Sequence, residues 1–430
     1  MSLDYVSPTN PAHRASDCLR KYLYYSTLLY VFSLLLMGRF GLSIRLLELN
    51  LVLICLVVRV NRISKWIFWL LLYLAVSCGI GIARGTDSFS WCVLEYRAIA
   101  INVIYYYYFF RLIRNDSDRA FIAYAKLAYW FAVAGLVVWA SACIMGRDFE
   151  RLRGLATEPA QFCSLVLPAY YWYAHQFITR RKHLLEVIVF TVTVILTASS
   201  VGYISAAFGI ILLLLSKRRK YIFVALATVC TLLGTAYALS SEVQRRVNDT
   251  LFVAATGDLT GVNLSTYAIV SNAMITQQVL KESPLIGNGL GSHPMSHARF
   301  LADIPSVESF IGMNLEDTNA LEANSLTLRV LSELGVLGLA GVLAFLIHFH
   351  VRGSGPRSAI SKAILVCFFL KLFRSGEYYQ PEQFFFIFVY ILNHRKFQRE
   401  ALREARDGPS RSLVGPSNPR SGLSDAWSGQ

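Results

Sequence analysis

Arginines and a glutamate crowd a short polar segment that follows an apolar block, and they suggest phosphate chemistry. The chain carries Arg147, Arg151 and Arg153 within seven residues, and Glu158 comes shortly afterwards. The planar fork of an arginine side chain matches the oxygens of a phosphate in a bidentate way. The segment is therefore a candidate phosphate-binding site, and a solvated loop is the alternative interpretation.

A second polar segment puts a carboxylate, an amide and an arginine at the start of another apolar block. Glu322-Ala-Asn324-Ser-Leu-Thr-Leu leads into Arg329, and Glu333 follows four residues later. Ionisable groups inside a membrane are costly and therefore tend to be functional. Arg329 and Glu333 could instead neutralise each other, because residues four apart are neighbours on a helix.

Other ionisable residues lie at a similar depth in further apolar blocks, and their shared depth predicts a polar cavity that opens on one side of a membrane. These residues are Arg45, Glu48, Glu95, Arg97, Lys371 and Arg374. Glu95 and Arg97 could also be a simple neutralising pair. His293 lies in a nearby polar stretch and would titrate near neutral pH if unperturbed.

The composition is that of an integral membrane protein. Of the 430 residues, 55% are apolar and only 16% are charged, whereas a soluble domain has about 25% charged residues. The apolar residues come in blocks close to the length of about 20 residues that a helix needs to cross a bilayer. The net charge of +14 lies mostly in short loops, where it sets topology, so we expect no nucleic-acid partner.

Hydropathy predicts an all-α, polytopic integral membrane protein with about twelve transmembrane helices and one large periplasmic loop. The predicted spans are 22–38, 43–60, 65–83, 91–110, 120–145, 159–178, 184–199, 201–216, 220–240, 325–350, 358–374 and 381–394. Alternate loops are basic, and the positive-inside rule places them in the cytoplasm together with both termini.

This topology divides the chain into three parts. They are a cytoplasmic segment 1–21, a transmembrane domain 22–394 that contains the outer loop 241–323, and a basic, disordered cytoplasmic tail 395–430. Loops as long as 241–323 are usually functional. Part of this loop is predicted to be helical, because Tyr267, Val270 and Met274 recur at helical spacing before Pro284.

Several segments, in this order and around one large loop, resemble the O-antigen polymerase and ligase superfamily, the Wzy/WaaL-like proteins. The segments are Arg153-Gly-x-x-x-Glu158-Pro, Thr197-Ala-Ser199-Ser-x-Gly202, Pro284-Leu-Ile-Gly-Asn-Gly, Glu322-Ala-Asn324-Ser-Leu and Glu333-Leu-Gly335-Val-Leu-Gly338. Each segment is degenerate, and the specificity of the resemblance comes from their order. It spans roughly residues 150–345.

The resemblance implies a glycosyltransferase at the periplasmic face of the bacterial inner membrane. Polymerases of this family extend a glycan on a polyprenyl diphosphate carrier, and ligases transfer the glycan to lipid A core. We expect the polymerase branch, making O-antigen or exopolysaccharide. The implied partners are a polyprenyl-diphosphate-linked oligosaccharide, membrane lipid, a chain-length co-polymerase and a flippase. A ligase and a non-enzymatic polysaccharide or lipid transporter are the alternatives.

On this hypothesis, each candidate residue takes a role. Arg151, Arg153 and Arg329 bind the diphosphate, Glu158 and Glu322 are candidate general bases, and Asn324 orients the sugar or the base. The remaining cavity residues are Arg45, Glu95, Arg97, Glu333, Arg374 and His293. No spacing typical of a metal site is visible, so we expect neither a metal nor a cofactor.

The chain departs from the family pattern in two places. Ala323 stands where the ligase branch tends to carry histidine, which weakens the ligase hypothesis. Ser265-Thr266 stands where the family often has an arginine before the glycine turn, and Arg245, Arg246 and Arg299 are candidates to replace it.

Reporter fusions test the predicted orientation. A reporter that is active only in the periplasm should be active when fused at Asp258, in the outer loop. The same reporter should be silent after Arg219 or after Arg406, because basic loops and the basic tail stay in the cytoplasm. Activity after Arg219, or silence at Asp258, would overturn the orientation.

Overall fold

The computed structural model describes most of the predicted helical chain. The described residues are 11–33, 43–58, 64–113, 116–146, 151–215 without 155 and 157, 241–305 without 260, residue 315, and 317–407, with isolated positions between 227 and 238. Within these ranges the chain forms fourteen α-helices and no strand. The all-α prediction is confirmed.

The helices are numbered here in chain order. They are α1 Pro11–Val31, α2 Ser43–Val57, α3 Lys65–Ala83, α4 Phe89–Leu112, α5 Ser117–Ile144, α6 Pro159–Arg180, α7 Leu184–Leu196, α8 Ser200–Leu215, α9 Ser241–Thr256, α10 Leu264–Glu282, α11 His293–Phe300, α12 Leu326–His348, α13 Pro356–Arg374 and α14 Pro381–Asp407.

Three of these helices, α3, α5 and α12, are long and apolar enough to cross a membrane. Shorter apolar helices cover Leu46–Val57, Leu184–Leu196 and Ser200–Leu214. The predicted seventh and eighth helices are separate, as α7 and α8, and the chain turns between them at Ala198, whose φ is 45°. The predicted span 220–240 lies almost entirely outside the described residues.

The last helix continues well beyond its predicted end, so 395–407 is helical although it was predicted to be part of a disordered tail. Arg357 of α13 explains the difference, because it binds Glu400 at 2.5 Å and Asp118 of α5 at 3.1 Å. Lys396 lies 3.3 Å from Asp116. Hydropathy alone treats this charged stretch as a tail, whereas its Arg, Glu and Ala residues are strong helix formers.

In its described residues, the long segment 241–323 contains three α-helices, α9, α10 and α11, and a 3-10 turn at Leu301–Asp303. The helical prediction around Tyr267 is confirmed by α10, which ends just before Pro284. Tyr267 and Ile275 of α10 pack with Phe300 in a small apolar core of their own. The segment is therefore a folded element with its own interior.

The glycine-rich turn 284–291 fits into a break in α12. The break is at Gly335, whose φ is 67° and whose ψ is −166°. Four backbone bonds join the turn to α12: Asn288 N to Ser332 O at 2.9 Å, Gly289 N to Glu333 O at 2.9 Å, Val336 N to Pro284 O at 3.0 Å and Leu337 N to Leu285 O at 3.1 Å. Two of the segments that carry the family resemblance thus form one structural unit.

Glycines make this close approach sterically possible. A Cβ on Gly335 would overlap the backbone of Leu285, and a Cβ on Gly289 would lie 2.7 Å from the Cα of Gly81 in α3. The hydroxyl of Thr86 donates to Asn288 O at 2.7 Å on the α3 side. The turn is therefore clamped between α3 and α12.

Alanine at Gly335 should destabilise the protein strongly. The backbone angles of Gly335 lie in a region that is essentially restricted to glycine, where another residue is strained by about 1–3 kcal/mol, and here the added Cβ also overlaps Leu285. Gly341→Ala, in the same helix with nothing within 4 Å of the added Cβ, is the matched control and should stabilise by roughly 0.5–1 kcal/mol. Thermal melting of the detergent-solubilised variants measures both, and equal melting temperatures would contradict the clamp.

Candidate functional site

Arg329 of α12 is buried, and its side chain bonds to its own helix and to two other elements at once. Its Nε donates to Glu333 at 3.0 Å, its Nη2 to Glu95 of α4 at 2.8 Å, and its Nη1 to the carbonyl of Gly376 at 3.1 Å. The side chain is only 2% exposed. Its guanidinium also lies 4.5 Å from the ring centroid of Tyr378. All three nitrogens of Arg329 are used within the protein, so its predicted role in diphosphate binding is not favoured.

Glu333 extends this arrangement to the glycine turn. Its Oε2 accepts from the backbone N–H of Gly291 at 2.9 Å, while its Oε1 binds Arg329. The predicted neutralising pair of Arg329 and Glu333 is therefore confirmed. Glu95 and Glu333 thus join α4, α12 and the turn through one cation.

The other predicted pair, Glu95 with Arg97, does not form. Arg97 binds Glu48 of α2 instead, on an exposed surface where its side chain is 61% accessible. Residues two apart on a helix point in different directions, which explains why Glu95 turns inward and Arg97 outward. Arg97 is therefore separate from the buried cluster. The side chain of Arg45 lies outside the described residues.

His293 is a buried link between three helices. One ring nitrogen lies 2.9 Å from the hydroxyl of Ser332 in α12, and the other lies 2.9 Å from Oδ1 of Asn272 in α10. Burial, with the nearby Arg329 charge, holds the pKa of His293 well below its ordinary value. The histidine is therefore neutral and structural, and it does not face the cavity described next.

A cavity of about 530 Å³ brings together three of the predicted residues, Arg151, Glu158 and Arg374. The other lining residues are Pro159, Ala160, Ser199, Ser200, Val201, Ile204, Val243, Val247, Thr250, Leu251, Ser265, Thr266 and Ile269. They include the first turns of α6, α8 and α10. Helix N-termini carry partial positive charge and attract anions, so this end of the cavity suits a negatively charged group.

Arg151 is anchored at the turn between α7 and α8. Its Nε donates to Thr197 O at 3.3 Å and its Nη2 to Ala198 O at 2.5 Å. The next residue, Leu152, donates its N–H to Leu196 O at 2.9 Å. Arg153 is exposed and does not line the cavity. The structure therefore separates two arginines that the sequence assigned to one role.

The glycines of the two neighbouring motifs permit tight packing beneath the cavity. A Cβ on Gly154 would lie 2.8 Å from the ring of Phe162, and a Cβ on Gly202 would lie 2.6 Å from Sγ of Cys163. Both contacts are made to α6. These glycines let the 151–154 segment and α8 approach α6 closely enough to form one wall.

Arg374 reaches the cavity from the end of α13 and is held by Asn324. It donates to Oδ1 of Asn324, which also accepts from Asn319 at 3.0 Å. Ala323 and Asn324 have φ angles of 54° and 59°. The left-handed turn points the Asn324 amide toward Arg374, and Asn324 therefore holds this arginine in position.

Glu322 is half-buried and has the electrostatic character of a general base. The pKa of Glu322 is raised to about 7, first by burial and then by the negative charges of Glu377 and Glu158, against the opposing effect of Arg329 and Arg374. A carboxyl group whose pKa lies near the working pH is suited to proton transfer. Of the two predicted bases, Glu158 lines the cavity and Glu322 lies near enough to feel its charge.

The loop 375–380 carries two functional candidates, Glu377 and Gln380, that the sequence interpretation did not single out. Lys371, fully buried, binds Glu382 at 2.9 Å and also Gln380. Gln380 in turn donates to Glu377 at 2.9 Å. The sequence feature that could have identified these residues is a short polar stretch next to Arg374, between two apolar blocks.

In the described part of the chain, no three His, Cys, Asp or Glu side chains are grouped to hold a metal ion. No family model, curated protein or solved structure matches the chain.

Removing Arg329 should destabilise the protein far more than removing Arg97. Arg329→Met leaves Glu95 and Glu333 buried without their cation, and breaking a buried pair in this way costs about 3–5 kcal/mol. Arg97→Met is the control, because its pair with Glu48 is exposed and contributes little. Thermal melting of the purified variants measures the difference. A wild-type melting temperature for Arg329→Met would show that this cluster does not hold the fold.

Proposed function

We propose that this chain is a glycosyltransferase that polymerises polyprenyl-diphosphate-linked oligosaccharide repeats into O-antigen or exopolysaccharide. It would span the bacterial inner membrane about twelve times, with 241–323 in the periplasm and both termini in the cytoplasm. The observation that supports the proposal best is the meeting of Arg151, Glu158 and Arg374 in one cavity. Two of the segments that carry the family resemblance line this cavity, at Glu158 and at Ser199, and Asn324 of a third binds Arg374.

The polar end of the cavity has the chemistry to hold a diphosphate. Arg151 and Arg374 approach it from different elements, and the first turns of α6, α8 and α10 add their partial positive charge. We therefore assign diphosphate binding to Arg151 and Arg374, and no longer to Arg153 and Arg329. Ser265 and Thr266, where the family often carries an arginine, line the same cavity, so Arg374 would supply the missing charge there.

The other wall of the cavity suits the polyprenyl chain of the carrier. Val243, Val247 and Leu251 of α9 and Ile204 of α8 line it. Several of these side chains are partly exposed, with Leu251 at 63% and Ile204 at 48%. An apolar wall beside a cationic end matches a lipid whose charge is confined to its head.

The proposed reaction needs a base and a site that stabilises the leaving group. A hydroxyl of the acceptor sugar attacks the anomeric carbon of the donor glycan, and the bond from that carbon to the diphosphate oxygen breaks. The electron pair leaves with the diphosphate, whose growing charge Arg151 and Arg374 stabilise. The hydroxyl proton passes to a carboxylate, for which Glu322 and Glu158 are the candidates.

Conservative lysine variants test the diphosphate assignment. Arg151→Lys and Arg374→Lys keep the charge but lose the planar fork. One charge-assisted hydrogen bond is worth about 1.5–3 kcal/mol, so each variant should lose roughly 10- to 150-fold in polymerisation rate. Polymer length and yield are compared at matched protein levels in a deletion strain. Arg180→Lys, far from the cavity at the other end of α6, is the control and should behave as wild type.

Arg153→Lys tests whether the cavity or the sequence motif identifies the diphosphate-binding arginines. Arg153 is exposed and should tolerate the change. If both the Arg151→Lys and the Arg374→Lys variants make wild-type polymer, this cavity does not bind the diphosphate.

The deletion strain distinguishes the polymerase from the alternative functions. Loss of a ligase would leave long polymer on the carrier lipid, and loss of a flippase would leave single repeats on the cytoplasmic face.

A further inference from the structure

Glu377 lies in the loop between α13 and α14 and is held by a chain of buried polar groups. The chain begins at the buried pair of Lys371 and Glu382, whose charged atoms are 2.9 Å apart. Lys371 also donates to Oε1 of Gln380, and Nε2 of Gln380 donates to Oε2 of Glu377 at 2.9 Å. Glu377 therefore has a fixed position although it is only partly buried.

The direction of these hydrogen bonds is set by the ammonium group of Lys371. An ammonium group can only donate, so Gln380 must turn its carbonyl oxygen toward Lys371. Its NH₂ group then points to Glu377, whose Oε2 must accept. The network therefore fixes the orientation of the Gln380 amide and holds Oε2 of Glu377 as its acceptor.

The same loop packs directly against Glu322. A Cβ on Gly376 would overlap the carbonyl oxygen of Glu322, so the backbones touch at this point. Arg329 fixes the loop from the other side through the carbonyl of Gly376, at 3.1 Å. The side chain after this glycine is Glu377, and its charge is the strongest that acts on Glu322.

The charged groups that face Glu322 come from four elements. Glu377 and Glu158 carry negative charge, and Arg329 and Arg374 carry positive charge. Arg329 is already shared by Glu95 and Glu333, and Arg374 is bonded to Asn324. Glu377 is thus the member of this group that increases the basicity of Glu322 without occupying the cavity.

We propose that Glu377 is a positioning residue whose fixed negative charge makes Glu322 the general base of the transfer reaction. This inference rests on the proposed polymerase function. As the acceptor oxygen bonds to the anomeric carbon, its proton moves to Glu322, and the diphosphate leaves with the electron pair. Glu377 touches neither sugar nor carrier and acts only through Glu322.

The pH dependence of the rate tests this role. Glu322 must be ionised to act as a base, so wild-type activity should fall as the pH drops through about 7, the pKa of Glu322. Glu377→Gln can still accept the bond from Gln380 but has no charge. Without the negative charge the pKa of Glu322 falls, so the acid limb should move about one pH unit lower. The plateau rate should drop several-fold because the base is weaker, while KM should not change.

Purified protein in lipid nanodiscs with a lipid-linked repeat unit is the assay. Glu282→Gln is the control, because Glu282 pairs with Arg299 on an exposed surface, and its profile should match wild type. Glu377→Asp keeps the charge and should retain the wild-type acid limb. If Glu377→Gln does not fold, Glu377→Ala removes the same charge and should give the same shift.

The outcomes separate the two claims. If wild type makes polymer but the acid limb does not shift in the variants that remove the charge, the role of Glu377 is wrong. The proposed polymerase function is then unaffected. Loss of plateau rate without any shift means that Glu377 supports only the local structure, and this also overturns the inference. If folded wild-type protein makes no polymer at any pH, the proposed function fails and the role of Glu377 fails with it.

Discussion

One buried cation, Arg329, holds together the elements on which the candidate site depends. It binds Glu95 of α4, Glu333 of α12 and the carbonyl of Gly376, while Glu333 fixes the glycine turn through Gly291. Two carboxylates buried near each other cannot both stay ionised without such a cation, and an unpaired buried charge is among the costliest defects in a fold. Arg329 therefore ties α4, α12 and the loop 375–380 together, next to the backbone bonds that join the glycine turn to α12.

This constraint divides the charged residues into a structural set and a functional set. Arg329, Glu95 and Glu333 are buried and bonded to one another, and His293 is buried and bonded to Ser332 and Asn272. Beyond this buried layer, Arg151 and Arg374 face a cavity of about 530 Å³. Asn324 connects the segment at Glu322 to the cavity, because its side chain accepts a hydrogen bond from Arg374. We propose that the buried layer sets the geometry of the cavity and that the cavity carries the chemistry.

The sequence predicted the helical class and several local features because these depend on neighbours along the chain. The helix around Tyr267 and the pairing of Arg329 with Glu333 are set by helical spacing. The partner of Glu95 was not predictable, because it lies 234 residues away. The same holds for Arg374, which reaches the cavity only through the packing of α13. Arg153 was assigned by its closeness to Arg151 in sequence, yet the turn that anchors Arg151 leaves Arg153 exposed.

The central claim is that the cavity between α6, α8, α9 and α10 binds a polyprenyl diphosphate through Arg151 and Arg374. The most direct measurement is the affinity of the purified protein in nanodiscs for polyprenyl diphosphate, compared with polyprenyl monophosphate. Wild type should bind the diphosphate more tightly than the monophosphate. A variant with both Arg151→Lys and Arg374→Lys should bind the diphosphate at least about tenfold more weakly than wild type, for the loss of about 1.4 kcal/mol or more. Equal affinity of the double variant and wild type for the diphosphate would contradict it.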